Sequence, residues 1–278
     1  MNEELKYQAI AEKMSLWFSQ YGRDLPWRRT KDPYCIWISE IMLQQTQVDT
    51  VIPYYERFIT ALPDVKALAD ADLQSVYKLW EGLGYYRRAA HLKMSAQMIM
   101  EEGGQFPSSY EALIRLKGIG DYTASAIASI AFGEKKGVVD GNTLRITSRV
   151  WQLKDNIALP ATKKRFGTYM DRLAGEGDPG LINQAMMDLG AMICLPRHPK
   201  CELCPIAFAC KAREAGRQAL LPVNVKKMNK VTEQYVTVVI RRGADYLLYK
   251  PEQGLLAGLY GMVQIQAEDP EDFEQRFF

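Results

Sequence analysis

Residues 110–132 read YEALIRLKGIGDYTASAIASIAF, and this stretch decides which fold we expect. Its two ends, Tyr110–Leu116 and Tyr122–Phe132, have helical composition, and two glycines separated by one residue join them. Such glycines let the backbone turn tightly and present bare N–H groups at the start of the second helix, where a phosphate can bind. A plain helix–helix turn would look the same in isolation, so neighbouring features must decide between the two interpretations. The candidate phosphate-binding residues of this hairpin are Lys117, Gly118, Ile119 and Gly120.

Helix-sized segments separated by proline or glycine surround the hairpin and extend to about residue 215. The texture then changes: Leu221–Lys230 is a polar connector with several lysines, and Tyr235–Ile240 is rich in the β-branched residues of a strand. Arg241–Asp245 predicts a turn into Tyr246–Tyr249, which gives a candidate hairpin. We therefore expect a large all-α domain and the start of an α+β domain. The short remainder would bury little core by itself, so we expect this second domain to be truncated, with a short docked appendage as the alternative.

The composition is that of an ordinary globular protein, with 278 residues, 47% hydrophobic residues, 24% charged residues and a net charge of +2. It excludes a disordered chain, a collagen-like repeat and a disulfide-dense miniprotein. The longest apolar stretch is far shorter than the roughly 20 residues of a membrane span, and the acidic N-terminus does not resemble a signal peptide. We therefore expect a cytoplasmic protein without a membrane partner. The small net charge means that any phosphate-binding face must come from a local arrangement of charges.

Four of the five cysteines lie close together, in a Cys-x6-Cys-x2-Cys-x5-Cys pattern. The short loops between them let four thiolates converge on one centre, which suits either zinc or an iron–sulfur cluster. Zinc usually prefers two closely spaced cysteine pairs and only one is present, so the spacing favours a [4Fe–4S] cluster over zinc. The predicted ligands are Cys194, Cys201, Cys204 and Cys210. Cys35 lies apart in an apolar helical segment, and we expect it to be a core residue.

Glu40 is the only charged residue between Pro33 and Val48, and no lysine or arginine lies one helical turn away from it. A carboxyl group among apolar neighbours has a raised pKa and can act as a general acid near neutral pH, whereas a solvated surface glutamate cannot. The polar run Gln44–Gln47 supplies neutral groups suited to the edges of bases. Glu40 is therefore either a general acid or a solvated surface glutamate, and neutral groups able to contact base edges lie beside it.

Asp140 lies in the sequence Val-Val-Asp-Gly-Asn ahead of a predicted helix at 144–153. A helix N-cap or Asx turn explains it as well as a catalytic carboxylate does. A proton donor and a fixed carboxylate together are a recurring solution for cleaving glycosidic bonds through oxocarbenium-like states. Tyr122 begins the helix after the hairpin and either points into the same site or packs as an ordinary aromatic residue.

The hairpin, Asp140 and the cysteine spacing together resemble the endonuclease III superfamily of DNA glycosylases. Ser39–Val48 and Asn183–Gly190 are similar to segments of the MutY-type adenine DNA glycosylases, and the resemblance covers residues 5–215. It implies a mainly α helix–hairpin–helix glycosylase fold with one [4Fe–4S] cluster per chain. The implied domains are a glycosylase domain over 1–215 with the cluster loop at 194–210, a linker over 216–231, and a partial Nudix-like 8-oxoguanine-recognition domain over 232–278. Gly254–Tyr260 loosely resembles a glycine-rich loop of that last domain, although Leu256 and Ala257 depart from its pattern.

The resemblance also implies an activity, namely removal of adenine mispaired with 8-oxoguanine or guanine in double-stranded DNA during base excision repair. Glu40 is implied as the acid that protonates the flipped adenine, and Asp140 as the carboxylate that stabilises the sugar cation or its covalent adduct. Asn142 and Tyr122 would support them. The implied base-binding residues are Trp27, Arg28, Leu43, Gln45, Thr46, Tyr85 and Gln184, of which Leu43 and Tyr85 would wedge into the duplex.

Tyr122 occupies the position at which bifunctional relatives carry a nucleophilic lysine, so the resemblance implies a monofunctional enzyme that leaves an abasic site. We expect a monomer in the bacterial cytoplasm and nucleoid. Two alternatives stay open: an endonuclease III-like glycosylase for oxidised pyrimidines, and a non-catalytic helix–hairpin–helix DNA-binding module.

Overall fold

The computed structural model describes residues 2–225, 233–253 and 258–266. Over these residues the chain forms twelve α-helices and four short strands, which confirms the predicted mainly α fold. It divides into two units, residues 1–225 and 226–278, each described by itself below. None of the described helices combines the length and the apolar character that a membrane crossing requires. The elements are α1 (Glu3–Tyr21), α2 (Pro33–Met42), α3 (Val48–Ala61), α4 (Val65–Asp70), α5 (Leu73–Trp80), α6 (Arg87–Glu101), α7 (Tyr110–Leu113), α8 (Asp121–Phe132), α9 (Gly141–Trp151), α10 (Pro160–Ala174), α11 (Pro179–Met192), α12 (Lys211–Glu214), β1 (Tyr235–Val238), β2 (Arg241–Arg242), β3 (Asp245–Tyr246) and β4 (Val263–Gln266).

Two large hydrophobic cores and a small cluster around Phe166 build the described part of the first unit. The first core lies among α2 to α8, with the buried side chains of Trp37, Phe58 and Trp80 in its interior. The second core joins α1 to α9, α10 and α11 through buried residues such as Tyr7 and Met186. Helix α11 contacts α1, α8 and α9, so it links the two cores. The N-terminal helix thus completes a core whose other members come much later in the chain.

Helix α2 is buried on almost every face. Asp32 caps its N-terminus by accepting a hydrogen bond from the N–H of Tyr34 (2.8 Å), and Pro33 supplies the fixed φ of the first turn. All residues from Ile36 to Met42 are buried, as expected of a helix whose sequence is apolar all round. The helix therefore carries Glu40 into the interior of the protein.

The hairpin between α7 and α8 confirms the predicted turn, although α7 is a single turn that ends at Leu113. Beyond it, the N–H of Leu116 donates to the carbonyl of Leu113 (3.1 Å) and that of Ile119 to Leu116 (3.3 Å), bonds typical of a 3₁₀ turn. Gly118 has a φ of +77°, and a Cβ there would lie 2.8 Å from the Cβ of His91. Both the backbone conformation and the lack of space therefore require glycine at this position.

The second unit contains two small antiparallel sheets in its described residues, one of β1 and β4 and one of β2 and β3. The predicted turn at Arg241–Asp245 is present, with Gly243 at a φ of +61°. The strand that starts at Tyr235 is shorter than predicted and ends at Val238. It pairs with β4, whereas the sequence predicted that it would pair with the segment at 246–249. Apolar side chains explain this partner: Val236 lies opposite Ile265, and Val238 lies opposite Val263.

The polar connector and the glycine-rich segment are described only in part. Residues 226–232 of the predicted linker and 254–257 of the segment 254–260, including Leu256 and Ala257, lie outside the described residues. The chain up to Val225 is bonded to the first unit, since the N–H of Ile157 donates to Val223 (2.9 Å) and the N–H of Val225 donates to the side chain of Asn156 (3.0 Å). The first part of the connector thus packs on the helical unit.

Candidate active site

A pocket of about 250 Å³ opens in the first unit where α2, α8, α9 and α11 meet. It brings together all four predicted catalytic residues and most of the predicted base-binding residues, which lie far apart in the sequence. Gln45 and Tyr85 are the two predicted base-binding residues that do not line it. The predicted residues that line the pocket are Trp27, Arg28, Glu40, Leu43, Thr46, Tyr122, Asp140, Asn142 and Gln184.

Glu40 is buried at the wall of this pocket, with 5% of its surface exposed, so the interpretation as a solvated glutamate is excluded. Its Oε2 has no hydrogen-bond partner within the described part of the chain. Burial raises the pKa of Glu40 to about 7, while Tyr122 and Arg28 act to lower it and Asp140 acts to raise it. A carboxyl group with this pKa is substantially protonated near neutral pH and can donate a proton.

Asp140 is both the N-cap of α9 and a wall of the pocket, so the two interpretations of its sequence are compatible. Its Oδ1 accepts a hydrogen bond from the N–H of Thr143 (2.7 Å), and its own N–H donates to the hydroxyl of Thr143 (2.8 Å). This reciprocal capping box starts the helix at Gly141, earlier than predicted. The second carboxylate oxygen accepts from the amide of Asn142 (2.9 Å), so both oxygens are held.

Asn142 connects Asp140 to a second layer of residues. Its Oδ1 accepts a hydrogen bond from Nη2 of Arg145 (2.8 Å), and the same guanidinium group donates to the carbonyls of Gly190 (2.8 Å) and Cys194 (2.7 Å). A Cβ on Gly190 would lie 2.4 Å from the Cβ of Asn142, so only glycine lets α11 approach α9 this closely. Arg145 therefore ties the start of α9, the end of α11 and the cysteine loop together.

Arg28 is held at the pocket by Asp188, a fully buried residue of α11. The carboxylate of Asp188 accepts two hydrogen bonds from the guanidinium of Arg28 (2.7 and 2.9 Å) and two from that of Arg23 (2.9 and 2.6 Å). Burial acts to raise the pKa of Asp188, but the hydrogen bonds from Arg28 and Arg23 outweigh it and hold the pKa below its usual value. Asp188 is therefore an anion that compensates both cations.

Sequence reasoning missed Arg145 and Asp188. Arg145 lies between Leu144 and Ile146 in α9, so its position in the sequence is typical of a solvent-facing basic residue on an amphipathic helix. Asp188 is the one charged residue between Asn183 and Arg197. A single charge in an apolar segment is the same feature that identified Glu40, so the sequence did contain a sign that Asp188 is buried. A buried carboxylate without a partner on its own helix needs a cation from elsewhere in the fold.

Tyr122 points into the pocket from the first turn of α8, and its hydroxyl lies 3.8 Å from the sulfur of Met187. Burial, followed by the nearby carboxyls of Glu40 and Asp140, raises its pKa well above the usual value, so the phenol stays neutral. None of the described residues that line the pocket is a lysine. The pocket thus offers carboxyl, phenol and amide groups but no amine nucleophile.

Gln45 and Tyr85 lie outside the pocket on exposed loops, and both have a left-handed backbone, with φ of 60° and 51°. The exposed hairpin residues are Lys117, Gly118 and Gly120, whereas Ile119 is buried in the first core and its N–H is used inside the turn. The backbone N–H groups left for a phosphate are therefore those of the glycines rather than that of Ile119.

The four clustered cysteines surround a separate cavity of about 20 Å³ beside α9. Two 3₁₀ turns, Cys201–Leu203 and Ala207–Ala209, bend the loop so that its thiols face the same space. All four of these cysteines line this one cavity. This donor set of four sulfurs fits an iron–sulfur cluster.

The buried guanidinium of Arg149 contacts this cavity. Its Nη1 donates to Sγ of Cys194 (3.2 Å) and to the carbonyl of Leu195 (2.8 Å), and its Nη2 donates to the carbonyl of Pro196 (3.1 Å). Burial raises the pKa of the Cys204 thiol to about 12, so thiolates here need compensating positive charge from iron and from Arg149. Cys35, by contrast, packs at the edge of the first core, as predicted.

The comparisons with known proteins agree with this geometry. Residues 38–170 match the HhH-GPD superfamily of base excision DNA repair proteins, and residues 194–210 match the iron–sulfur binding domain of endonuclease III. A thermostable thymine-DNA glycosylase has the same fold, with a TM-score of 0.68 and 29% identity over 76% of this chain and 98% of its own. A trapped endonuclease III–DNA covalent intermediate superposes with a TM-score of 0.63 and 18% identity over 78% of this chain and 99% of its own.

Curated relatives are similar over most of the chain. The human adenine DNA glycosylase is 43% identical over 215 residues, which are 74% of this chain and 39% of that enzyme. The adenine DNA glycosylase of Buchnera aphidicola subsp. Baizongia pistaciae is 38% identical over 253 residues, or 90% of this chain and 70% of that protein. The chain thus spans about two fifths of the human relative and more than two thirds of the bacterial one. On this similarity, the chain belongs to the adenine DNA glycosylase family within the HhH-GPD superfamily of base excision DNA repair proteins.

Proposed function

We propose that this protein is a monofunctional DNA glycosylase that removes adenine mispaired with 8-oxoguanine or guanine and leaves an abasic site. The observation that carries the proposal is the pairing, in one pocket, of a buried carboxyl group with a pKa of about 7 (Glu40) and a carboxylate fixed at both oxygens (Asp140). These are the two groups that cleavage of an N-glycosidic bond requires.

In the proposed reaction, the adenine leaves the base stack and enters the pocket, because its glycosidic bond is unreachable inside a duplex. Glu40 donates its proton to a ring nitrogen of the base, and the electron pair of the C1′–N9 bond leaves with the adenine. Asp140 stabilises the positive charge that develops on the sugar. Water then adds to C1′ and returns a proton to Glu40, so the acid is regenerated and the products are free adenine and an abasic site.

The rest of the pocket is suited to hold a planar base. Trp27 is buried and packs edge-on against Tyr55, with ring centroids 5.3 Å apart, which gives the pocket a rigid aromatic wall. Arg28, Thr46 and Gln184 supply hydrogen-bonding groups at its edges. Arg28 can donate only, so it would face an acceptor nitrogen of adenine, whereas Gln184 can accept from the exocyclic amino group.

Outside the pocket, the exposed N–H groups of Gly118 and Gly120 would bind the phosphate backbone of double-stranded DNA. Leu43 and the exposed Tyr85 would wedge into the duplex and Gln45 would contact it beside the extruded base. The solved endonuclease III–DNA complexes share this fold, which supports DNA as the partner. The described pocket holds no lysine, which supports an enzyme without strand-cleaving activity.

The cofactor in this proposal is one [4Fe–4S] cluster held by Cys194, Cys201, Cys204 and Cys210. When bound, it supplies four Fe–S bonds that fix the cysteine loop beside α9.

We further propose that the second unit is the start of a Nudix-like domain for recognition of 8-oxoguanine, over 232–278, after a linker at 216–231 and a glycosylase domain at 1–215. We also propose that the protein is a monomer, that it is cytoplasmic, and that it acts at the nucleoid.

The test is a single-turnover incubation of the protein with a duplex that carries adenine opposite 8-oxoguanine, analysed on a gel with and without hot alkali. We expect strand breaks after alkali only, and none with the Glu40→Gln variant. Breaks without alkali would contradict a monofunctional mechanism. Excision from a duplex with an oxidised pyrimidine, but not with adenine, would favour the endonuclease III-like alternative. Binding of DNA without excision of any base would favour the non-catalytic module.

A further inference from the structure

The two exposed loops that carry Gln45 and Tyr85 share an unusual backbone feature. Both residues have a positive φ, although neither is glycine, and a left-handed conformation costs such residues roughly 1–2 kcal/mol. The loops are far apart in sequence, since one follows α2 and the other precedes α6. Such conformations persist only where the surrounding structure holds them, and one group contacts both loops.

That group is the side chain of Arg88, the second residue of α6. The two Nη groups of its guanidinium lie within hydrogen-bonding distance of five backbone carbonyls, which belong to the two loops and to the end of α2. The acceptors are Ile41 (2.8 Å), Met42 (3.1 Å) and Gln44 (2.6 Å) for Nη1, and Leu83 (3.3 Å) and Gly84 (3.2 Å) for Nη2. One nitrogen thus holds the loop of Gln45, and the other holds the loop of Tyr85.

The chemistry of this contact requires an arginine. In the described part of the chain Arg88 makes no salt bridge, so its charge is balanced by carbonyl dipoles at the C-terminal end of α2. Its guanidinium also lies over the rings of Trp80 (5.3 Å) and Tyr85 (5.4 Å), which adds cation–π attraction at this position. A lysine ammonium is a compact point charge with three donors, so it cannot serve the carbonyls of both loops as the two Nη groups of a guanidinium do.

We propose that Arg88 is a positioning residue that locks the loops of Gln45 and Tyr85 into one rigid DNA-facing unit. The two side chains would then enter the duplex together when the base is extruded, and not as two independent probes. This inference rests on the proposed function, because it concerns the extrusion step that precedes excision. Arg88 acts only through the loops and does not line the catalytic pocket.

The test measures extrusion separately from chemistry. In the Glu40→Gln background, which blocks proton donation, a duplex with 2-aminopurine at the adenine position opposite 8-oxoguanine reports unstacking of the base by its fluorescence. We expect Arg88→Lys to lower the extrusion rate about tenfold or more, while the Kd for an undamaged duplex changes less than about twofold. Arg87→Lys is the matched control, because Arg87 is the exposed neighbouring residue and should leave both quantities unchanged.

A double-mutant cycle separates a positioning role from a merely structural one. With Arg88 intact, the effects of Gln45→Ala and Tyr85→Ala on the extrusion rate should be non-additive by about fivefold or more, because the loops move as one unit. In the Arg88→Lys background the same two effects should become additive. Additive effects with Arg88 intact would overturn the inference, however well or badly the Arg88→Lys variant folds.

The outcomes for the two proposals are distinguishable. If the Glu40→Gln protein extrudes the base at equal rates with and without Arg88→Lys, the inference about Arg88 is wrong and the proposed glycosylase function stands. If neither excision by the unmodified protein nor extrusion is detected on any adenine mispair, the proposed function itself has failed.

Discussion

Raising the pH from 6 to 9 is expected to slow adenine excision, because the proposed general acid is Glu40, whose pKa lies at about 7. Above pH 7 the protonated fraction falls about tenfold per pH unit, and the single-turnover rate should fall with it. With the ordinary glutamate pKa near 4.5, only about 0.3% of the group would be protonated at pH 7. Burial among the apolar residues of α2 therefore raises the amount of active acid at pH 7 by about 150-fold.

The assay is single-turnover excision, with enzyme in excess over an adenine:8-oxoguanine duplex, between pH 5.5 and 9. Duplex binding is measured at each pH so that weaker binding is not mistaken for slower chemistry. We expect a rate that is nearly constant below pH 6 and bends near pH 7. A rate independent of pH between 6 and 9, with binding unchanged, would refute the assignment of Glu40 as the general acid. A rate that already falls about tenfold per pH unit between pH 5.5 and 6.5 would refute the role of burial.

The same pKa predicts that folding stability also falls as the pH rises. The folded protein binds the Glu40 proton more tightly than the unfolded chain, so this contribution is fully present below pH 4.5 and is lost as the pH rises to about 7. The total loss is about 3 kcal/mol. Glu40→Gln cannot ionise, and its free energy of unfolding should exceed that of the unmodified protein by about this amount at pH 8, with little difference at pH 4.5.

This stability difference is measured by denaturant unfolding at both pH values. The matched control is Glu12→Gln, on an exposed part of α1, for which we expect no pH-dependent difference. An inactive Glu40→Gln variant that is also less stable at pH 8 would mean that the carboxylate has a structural partner, which would contradict its assignment as a buried acid.

Three further substitutions test other parts of the site. Cys204→Ser should lose the visible absorbance near about 400 nm that iron–sulfur thiolate centres show, and stoichiometric zinc in the unmodified protein without this absorbance would contradict the cluster. Gly118→Ala places a Cβ 2.8 Å from His91 at a φ of +77°, so the Kd for undamaged duplex should rise about tenfold, and an unchanged Kd would contradict the hairpin as the phosphate site. Asp188→Asn leaves the guanidinium of Arg28 without its anion, so urea unfolding should show a loss of about 3 kcal/mol, and a loss below about 1 kcal/mol would contradict the role of this pair.

Those parts of the site that depend on local sequence could be predicted from the sequence. The turn at Gly118 needs a φ that glycine alone adopts easily, and the closely spaced thiols can meet through short loops, so both have a signature within a few residues. Glu40 is similar, because a single charge in an apolar helix is visible in the sequence itself. Each of these features is dictated by steric or solvation effects that act over one or two turns of chain.

The residues that hold these groups in place could not be predicted in the same way. Arg145, Arg88 and Asp188 act through hydrogen bonds to backbone or side-chain groups that are distant in sequence, such as the bond from Arg145 to the carbonyl of Cys194. Every residue type has a backbone carbonyl, so the amino-acid sequence does not show which carbonyls accept these hydrogen bonds. Arginines on an amphipathic helix are most often solvated, and only the packing of other helices distinguishes a buried one.

Asp140 shows why a common structural role and a functional role can coincide. An N-cap residue is defined by a side-chain oxygen that accepts from the backbone of the next turn, and this bond fixes one carboxylate oxygen in space. The amide of Asn142 fixes the other oxygen, so the carboxylate cannot rotate away when the positive charge of the sugar develops nearby. A catalytic anion is effective only if it is already in place before the charge appears. The capping box of α9 provides this arrangement, and the same bonds that begin the helix therefore hold the proposed catalytic carboxylate in place.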